Sequence, residues 1–546
     1  MTFLVITSKD SLVQLITGWF HLDEVASTKL RNWLSPSVVW GLRLLTLFTA
    51  LMGWKIISRS EVVADFFLRI RKWIIAVKSR ILRIDRLYLY SALVIVGISF
   101  LFNLYNVLVR PIFYDEAWTY LNFTRPGFLT AISYYPLPNN HVLHSVLTVM
   151  TRDLPFGTTV NLRLSNLLVS LITALVFAYT SYRLFSKRAA LVLLPLFCFL
   201  FPVSYYSYLS RGYMLLILAF VICHYAVMRL TAATGSERER RKYSLLLVAG
   251  GILGLYTMPS FVYPFFCCVG FVAVWLIFKS GVRSTVHFLG LNLLGGLIVA
   301  WLYGPILFRS GLNSLINNEM VQPISRAEVW SRLGSHFSET SEFLFGMPLI
   351  VFTVAVVVML MALARKVTQL AFWIFCLVMP PIILMIHGVI PFSRTWIYLV
   401  VIVLSILGQL IRTFEDRIRL NHTSIVVFGS LFIALSVFQF TRKIQLQEFY
   451  SYRAMEVAEY LMDEEAKTVY VNHPLTEINL RYIFLERDSS IQIIYSRNLL
   501  DEEEVEQATE CCDWILLEEA MDGEIEWRFH TAGEYPMVLG RTDPAE

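Results

Sequence analysis

Repeated apolar runs, each long enough to cross a bilayer, constrain this 546-residue chain more than any other feature. Spans are expected near 38–57, 88–109, 162–182, 189–204, 212–230, 244–258, 260–278, 286–304, 346–363, 370–390, 395–411 and 424–440, which makes about twelve crossings. The runs near 189–204 and 244–258 are short, so a re-entrant hairpin stays open as an alternative there. With 56% hydrophobic and 16% charged residues and a mean hydropathy of +0.60, a soluble globular fold is excluded. The chain reads as an α-helical multi-pass membrane protein.

Basic residues set its orientation. The connections at 59–86, 183–188, 237–242, 279–283, 365–366 and 412–419 are rich in Lys and Arg and fall on one side if the spans alternate, which makes that side the cytoplasm. The loops 110–161 and 305–345, and everything after about residue 441, then face outward in a plasma membrane. Residues 1–37 read as an interfacial amphipathic segment, because Lys9-Asp10 and His21 to Glu24 interrupt the apolar core that a signal peptide needs. The basic, aromatic stretch 59–86 reads equally as a helix on the inner leaflet or as a plain cytoplasmic loop.

The net charge of +5 hides an asymmetry. Residues 442–546 carry 24 acidic against 9 basic side chains, a balance of −15, so the rest of the chain holds +20. The tail is expected to be a small acidic α/β domain that stands clear of anionic headgroups. Its short strands are expected at 467–471, 491–495 and 513–517, and its helices at 445–465 and 475–486. The resulting division is an N-terminal segment 1–87, a transmembrane domain 88–440 and an outer domain 441–546.

Two adjacent carboxylates stand out at the outer end of the second span, in Arg110-Pro-Ile-Phe-Tyr-Asp-Glu-Ala-Trp-Thr-Tyr120. Ionisable groups at a membrane boundary are costly and usually functional, so Asp115 and Glu116 are candidate catalytic residues. The same loop carries Tyr134-Tyr-Pro-Leu-Pro-Asn-Asn-His141-Val-Leu-His144 and re-enters the membrane at Asn161-Leu-Arg163. Carboxylate, imidazole, amide and guanidinium groups thus crowd into about 50 residues, enough to build a polar cavity at the interface. Walker, dinucleotide and Gly-x-Ser-x-Gly motifs are absent, as is any Cys-x-x-Cys. Five of the seven cysteines sit in apolar runs as small hydrophobes, and Cys511-Cys512 read as unpaired thiols or a vicinal disulfide.

The acidic pair, the Asn-Asn-His-x-Leu-His element, the Arg163-Leu pair opening a span and Ser210-Arg-Gly-Tyr-Met214 opening another together resemble the GT-C superfamily of integral membrane glycosyltransferases. Within it, the likeness is to bacterial relatives of protein O-mannosyltransferases and of the lipid A aminoarabinose transferase, over roughly residues 88–400. The resemblance implies transfer of a sugar from a polyprenyl-phosphate donor to an extracytoplasmic glycan, lipid or protein, with no nucleic acid involved. The chemistry fits the residues: a carboxylate suits an attacking hydroxyl, and Asp115 is the choice of general base. Guanidinium groups suit the leaving phosphate, with Arg211, Arg394 and Arg163 as candidates. Tyr114, Asn140, His141 and His144 complete the candidate substrate-binding set.

Each assignment has a plainer rival. Asp115 and Glu116 also suit the first turn of a helix, and Glu116 suits an arginine partner. The histidines also suit hydrogen-bonded helix positions, and a divalent metal on them lacks an evident third ligand. The arginines also suit interfacial anchors, and Tyr205 to Tyr208 and Trp396 an aromatic belt. The segment from Asn317 to Glu342, with Arg326, Arg332 and His336, is a candidate lid. A flippase or transporter would need repeated halves with polar groups at mid-bilayer, which the sequence does not display. A non-catalytic scaffold carrying the acidic tail also stays open.

Overall fold

The structure, a computed structural model, describes residues 9–20, 27, 28, 31, 79 and 83–546, except 233–235, 317–321, 364–368, 419–420, 496–511, 518–525, 531–537 and 542–546. The expected span at 38–57, most of the 59–86 stretch and Cys511 lie outside the described residues. The chain divides into two compact units, Met1–Leu93 and Val94–Glu546. In the first, the helix Lys9–Phe20 falls within the expected interfacial segment. The second holds the helical bundle and the acidic tail together.

Among the described residues eight helices are long and apolar enough to cross a membrane, or ten if each of two bent pairs counts as one span. The helix Glu237–Thr257 answers to the run expected at 244–258, but four basic residues lie in its first six. One bent pair, Lys187–Phe199 and Phe201–Tyr208, turns by 58° at the extended Leu200. The chain restarts with Pro202 in the first turn, where its missing N–H would have no helical partner anyway. The other, Arg326–Phe345 and Leu349–Leu363, turns by 72° after Gly346, whose φ of +66° ends the helix in the left-handed region. The region 305–345, expected as a loop, is therefore largely helical. Ser325 accepts from the Glu328 backbone N–H and starts the helix that occupies most of the candidate lid.

The longest span, Thr158–Leu184, explains how polar residues survive inside this bundle. Its Asn161, Arg163, Ser165, Asn166, Ser170 and Thr173 are buried, which points them at protein rather than lipid. Asn166 donates from Nδ2 to the carbonyls of Tyr206, Ser207 and Leu209. Those carbonyls end the helix Phe201–Tyr208 and have no partner within it, so one amide fixes the turn that leads to Arg211.

The tail forms a five-stranded sheet in the order β2-β1-β3-β5-β4, with β1 Thr468–Val471, β2 Gln492–Tyr495, β3 Trp514–Leu517, β4 Glu526–His530 and β5 Val538–Arg541. The first three strands are parallel and the last two pair antiparallel. Helices Phe449–Asp463 and Pro474–Glu486 accompany them. Ala454, Val457, Leu461, Val469, Val471, Leu480, Trp514 and Leu516 share one core. Strands β4 and β5 were not expected from the sequence: charges and a glycine break up their apolar pattern.

Candidate active site

The helix Tyr114–Thr119 carries both acids. Phe113 is extended (φ −85°, ψ 146°) and the helix begins at once, so Asp115 and Glu116 fall in its first turn, where a negative charge faces the exposed N–H groups. The two side chains then part company. Glu116 reaches back, and its Oε2 accepts from the Phe113 backbone N–H at 3.0 Å, the return half of a capping box.

Glu116 is also clamped from the other side. Arg163 donates to it from Nε (3.0 Å) and Nη2 (2.6 Å), and the Ser210 backbone N–H reaches Oε1 at 2.5 Å. The remaining Arg163 donors go to the carbonyls of Val107, Arg110 and Pro111. A guanidinium has five N–H groups, and each has an acceptor here. Arg163, fully buried, thus faces Glu116 and the backbone that ends the span Arg86–Val109, so the structure does not bring it to a position where it could grip a phosphate.

Asp115 sits differently. Its Oδ2 lies 3.8 Å from Arg211 Nη2 and 3.6 Å from Arg394 Nη2, ion-pair distances longer than hydrogen bonds. Arg211 is anchored by Nη1, which donates to Thr119 Oγ1 at 2.9 Å and approaches the carbonyls of Asp115 and Asn139. Arg394 leans over the Phe392 ring beside Tyr114, whose phenol is pushed up by burial and by Asp115. The Nε–H groups of both Arg211 and Arg394 are buried without a partner. The site therefore keeps donors in reserve around one carboxylate.

The two histidines separate as well. His141 accepts from the Gly212 N–H on Nδ1 at 2.8 Å, so a neutral ring carries its proton on Nε2, a tautomer assigned from the network. Burial and the Arg211 charge hold this imidazole well below its usual range, which keeps it neutral. Its Nε2 then meets Arg211 Nη2 at 3.4 Å, two donors face to face. His144 is buried with both ring nitrogens unpartnered, and burial, then Arg211, lower its pKa to about 3. Gly212 is required: a Cβ there would lie 2.8 Å from His141 Cβ and 2.9 Å from Thr257 Cγ2.

Asn140 is structural in its contacts. Its Nδ2 donates to the carbonyls of Ala131 and Tyr134, and its Oδ1 accepts from Ser145 Oγ, so the amide shapes the loop beneath His141. Within the candidate lid, His336 accepts from Trp396 Nε1 at 2.8 Å, and Glu339 accepts from Ser393, which steadies the turn that carries Arg394. Tyr206 and Tyr213, with ring centroids 4.1 Å apart, stand beside this turn. Among the described residues no three His, Cys, Asp or Glu side chains are placed to hold a metal ion. Sequence reasoning missed Arg110, Ser210 and Glu448, whose roles arise from backbone groups and from a contact across more than 300 residues.

The many-span helical bundle and its α/β tail share their fold with a solved membrane-protein structure. In structural comparison the chain is similar to ArnT from Cupriavidus metallidurans in the apo state, with 13% identity, a TM-score of 0.51, and 84% of this chain and 97% of that one covered. The same protein bound to undecaprenyl phosphate aligns at 12% identity and a TM-score of 0.49, covering 84% and 97%. The arabinosyltransferase EmbB from Mycobacterium smegmatis aligns at 10% identity and 0.39, over 83% of this chain and 46% of that one. No protein-family model and no curated protein sequence matches the chain.

Proposed function

We propose that this protein is a membrane glycosyltransferase that moves a sugar from a polyprenyl-phosphate donor to a hydroxyl on an extracytoplasmic acceptor. The observation that carries the reading is the contrast between neighbours: Glu116 is fully engaged, whereas Asp115 is held by two arginines at ion-pair distance. Asp115 takes the acceptor hydroxyl's proton as its oxygen bonds to the anomeric carbon. The bond from that carbon to the phosphate oxygen breaks with its electron pair, and the lipid phosphate leaves as an anion.

Arg211 and Arg394 receive that anion. Their unpartnered Nε–H groups, and the His141 Nε2–H that faces Arg211, lack an acceptor that a phosphate oxygen supplies. Tyr114 and the Ser393 turn orient Arg394, while Glu116, Arg163, Asn140 and Gly212 are positioning residues. One base and one displacement would invert the anomeric centre.

The outward placement of the site is supported by charge. Arg188 pairs with Glu415 at 3.1 Å, Arg412 donates to the Leu184 carbonyl and Arg240 to Ser280, which gathers the basic ends of five helices at the end of the bundle opposite Arg163, Arg211 and Arg394. By the positive-inside rule that end is cytoplasmic. The tail, on this reading, lies on the outer side and helps choose the acceptor. The test is mass analysis of envelope glycans and lipid-linked sugars in cells with and without the protein. Loss of one sugar from an acceptor with build-up of its polyprenyl-phosphate form is the expected result; unchanged profiles in both pools would remove the proposal.

A further inference from the structure

We infer that the C-terminal α/β domain is a positioning element for Asp115 and that it acts through Glu448. This rests on the proposed role of Asp115 as the base. Glu448 opens the helix Phe449–Asp463, yet its side chain makes no capping bond to that helix, so a local structural role does not account for it. It points instead into the bundle and is completely buried. Its Oε1 accepts from Tyr208 Oη at 2.6 Å, and its Oε2 lies 3.6 Å from Arg110 Nη1, without a hydrogen bond of its own.

Both partners lead to the same place. The Arg110 carbonyl accepts from Arg163 Nη1 at 2.8 Å, and the Arg163 guanidinium lies 5.5 Å over the Tyr208 ring. Arg163 in turn holds Glu116, next in the chain to Asp115, and Glu116 holds the Ser210 N–H that precedes Arg211. One tail carboxylate thus touches both segments that enclose the Arg163–Glu116 pair. Tyr452, one helical turn on, adds a contact to Arg110 Nη1 at 3.2 Å.

A second joint runs in parallel. Ile478 and Tyr482 of the helix Pro474–Glu486 share an apolar cluster with Ile112, Ala117 and Leu162. Tyr482 hydroxyl meets Thr159 Oγ1 at 3.0 Å, and its ring meets Tyr120 edge-on. The acid-bearing helix is therefore packed between the bundle and the tail. Anything that shifts the tail, such as acceptor binding to it, is transmitted to Asp115 through these two joints.

Burial pushes the Glu448 carboxyl up to about 7, against the opposing effects of Tyr208, Arg110 and Arg163 and with a smaller contribution from Glu116. These groups, Tyr205 and Tyr452 are the polar neighbours that face it. Raised above its unfolded value, the carboxyl is neutral below about pH 7, so the stability this buried group gives the link is present at low pH and is lost as pH rises through about 7.

The experiment uses the full-length protein in nanodiscs with Glu448→Ala, Glu448→Gln and Tyr208→Phe, read by hydrogen exchange and by steady-state transfer from a synthetic polyprenyl-phosphate sugar. For Glu448→Ala, amide exchange over 113–120 should rise about tenfold or more, and kcat should fall similarly with KM for the donor changed less than about twofold. Glu448→Gln keeps the Tyr208 bond and should lose the activity limb near neutral pH. If Glu448→Ala unfolds outright, Tyr208→Phe decides, with a smaller rise confined to 113–120. Exchange over 113–120 and kcat both at wild-type values would overturn the proposal. Exchange is blind to the reaction catalysed, so an active Asp115→Asn protein would remove the role of Asp115 as the base while leaving the coupling intact.

Discussion

Arg163 spans both carboxylate oxygens of Glu116 at 2.6 and 3.0 Å, while the carboxylate of the next residue back, Asp115, stands no nearer than 3.6 Å to either of its own arginines. Adjacent acids on one short helix are thus committed to different work. A buried pair whose hydrogen bonds are complete holds geometry, and a carboxylate kept at ion-pair distance can exchange a proton.

Removing one member of the inner pair leaves a charge stranded in a fully buried position. Arg163→Ala should destabilise the protein by about 3–5 kcal/mol. Arg163→Lys should fare little better, because an ammonium has three donors for five acceptor contacts. Thermal unfolding in detergent checks this, and a midpoint near wild type for Arg163→Ala would contradict it.

Gly212→Ala tests the close approach beneath the phosphate donors. A methyl group 2.8 Å from His141 Cβ must push the imidazole off the Gly212 N–H, a clash that costs about 1–3 kcal/mol. Activity should fall with it, since His141 faces Arg211. Stability and turnover measured side by side should drop together.

The two outer arginines should behave unlike Arg163. Arg394→Ala and Arg211→Ala should lower kcat by about 10²–10³ through lost stabilisation of the leaving phosphate. Arg394→Lys keeps the charge but not the fork, and should recover only part. Protein yield and melting should change less for Arg394 than for Arg163. Steady-state kinetics with a polyprenyl-phosphate sugar reads the difference.

His144 gives a pH signature. Its folded pKa of about 3 is far below its unfolded value of about 6.5, so the unfolded chain binds the extra proton first as pH falls. The associated stability is whole above about pH 6.5 and is lost progressively toward pH 3. His144→Phe should flatten the fall in melting temperature between those values; an unchanged slope would contradict the assignment.

Much of this architecture was legible in the residues, for physical reasons. Apolar runs announce spans, and three apolar runs announced three of the five strands, whereas β4 and β5 needed partners to become strands. Charged groups at a membrane boundary are conspicuous in the sequence, and the structure places Asp115, Arg211 and Arg394 side by side. The sequence favours Asp115 over Glu116 as the base, whereas the full engagement of Arg163 is not readable there. That depends on carbonyls at 107, 110 and 111 and on the Ser210 N–H, groups every residue has. Glu448 was hidden for another reason: it looks like one more acid in an acidic tail until the fold sets it against Arg110.

The central claim is that Asp115 takes the acceptor's proton. The direct measurement is sugar transfer from a radiolabelled polyprenyl-phosphate donor by wild type and Asp115→Asn in proteoliposomes, with donor binding measured on the same samples. Transfer should fall by about 10²–10⁴ while donor affinity stays within a few-fold. Asp115→Asn turning over at close to the wild-type rate would contradict the account.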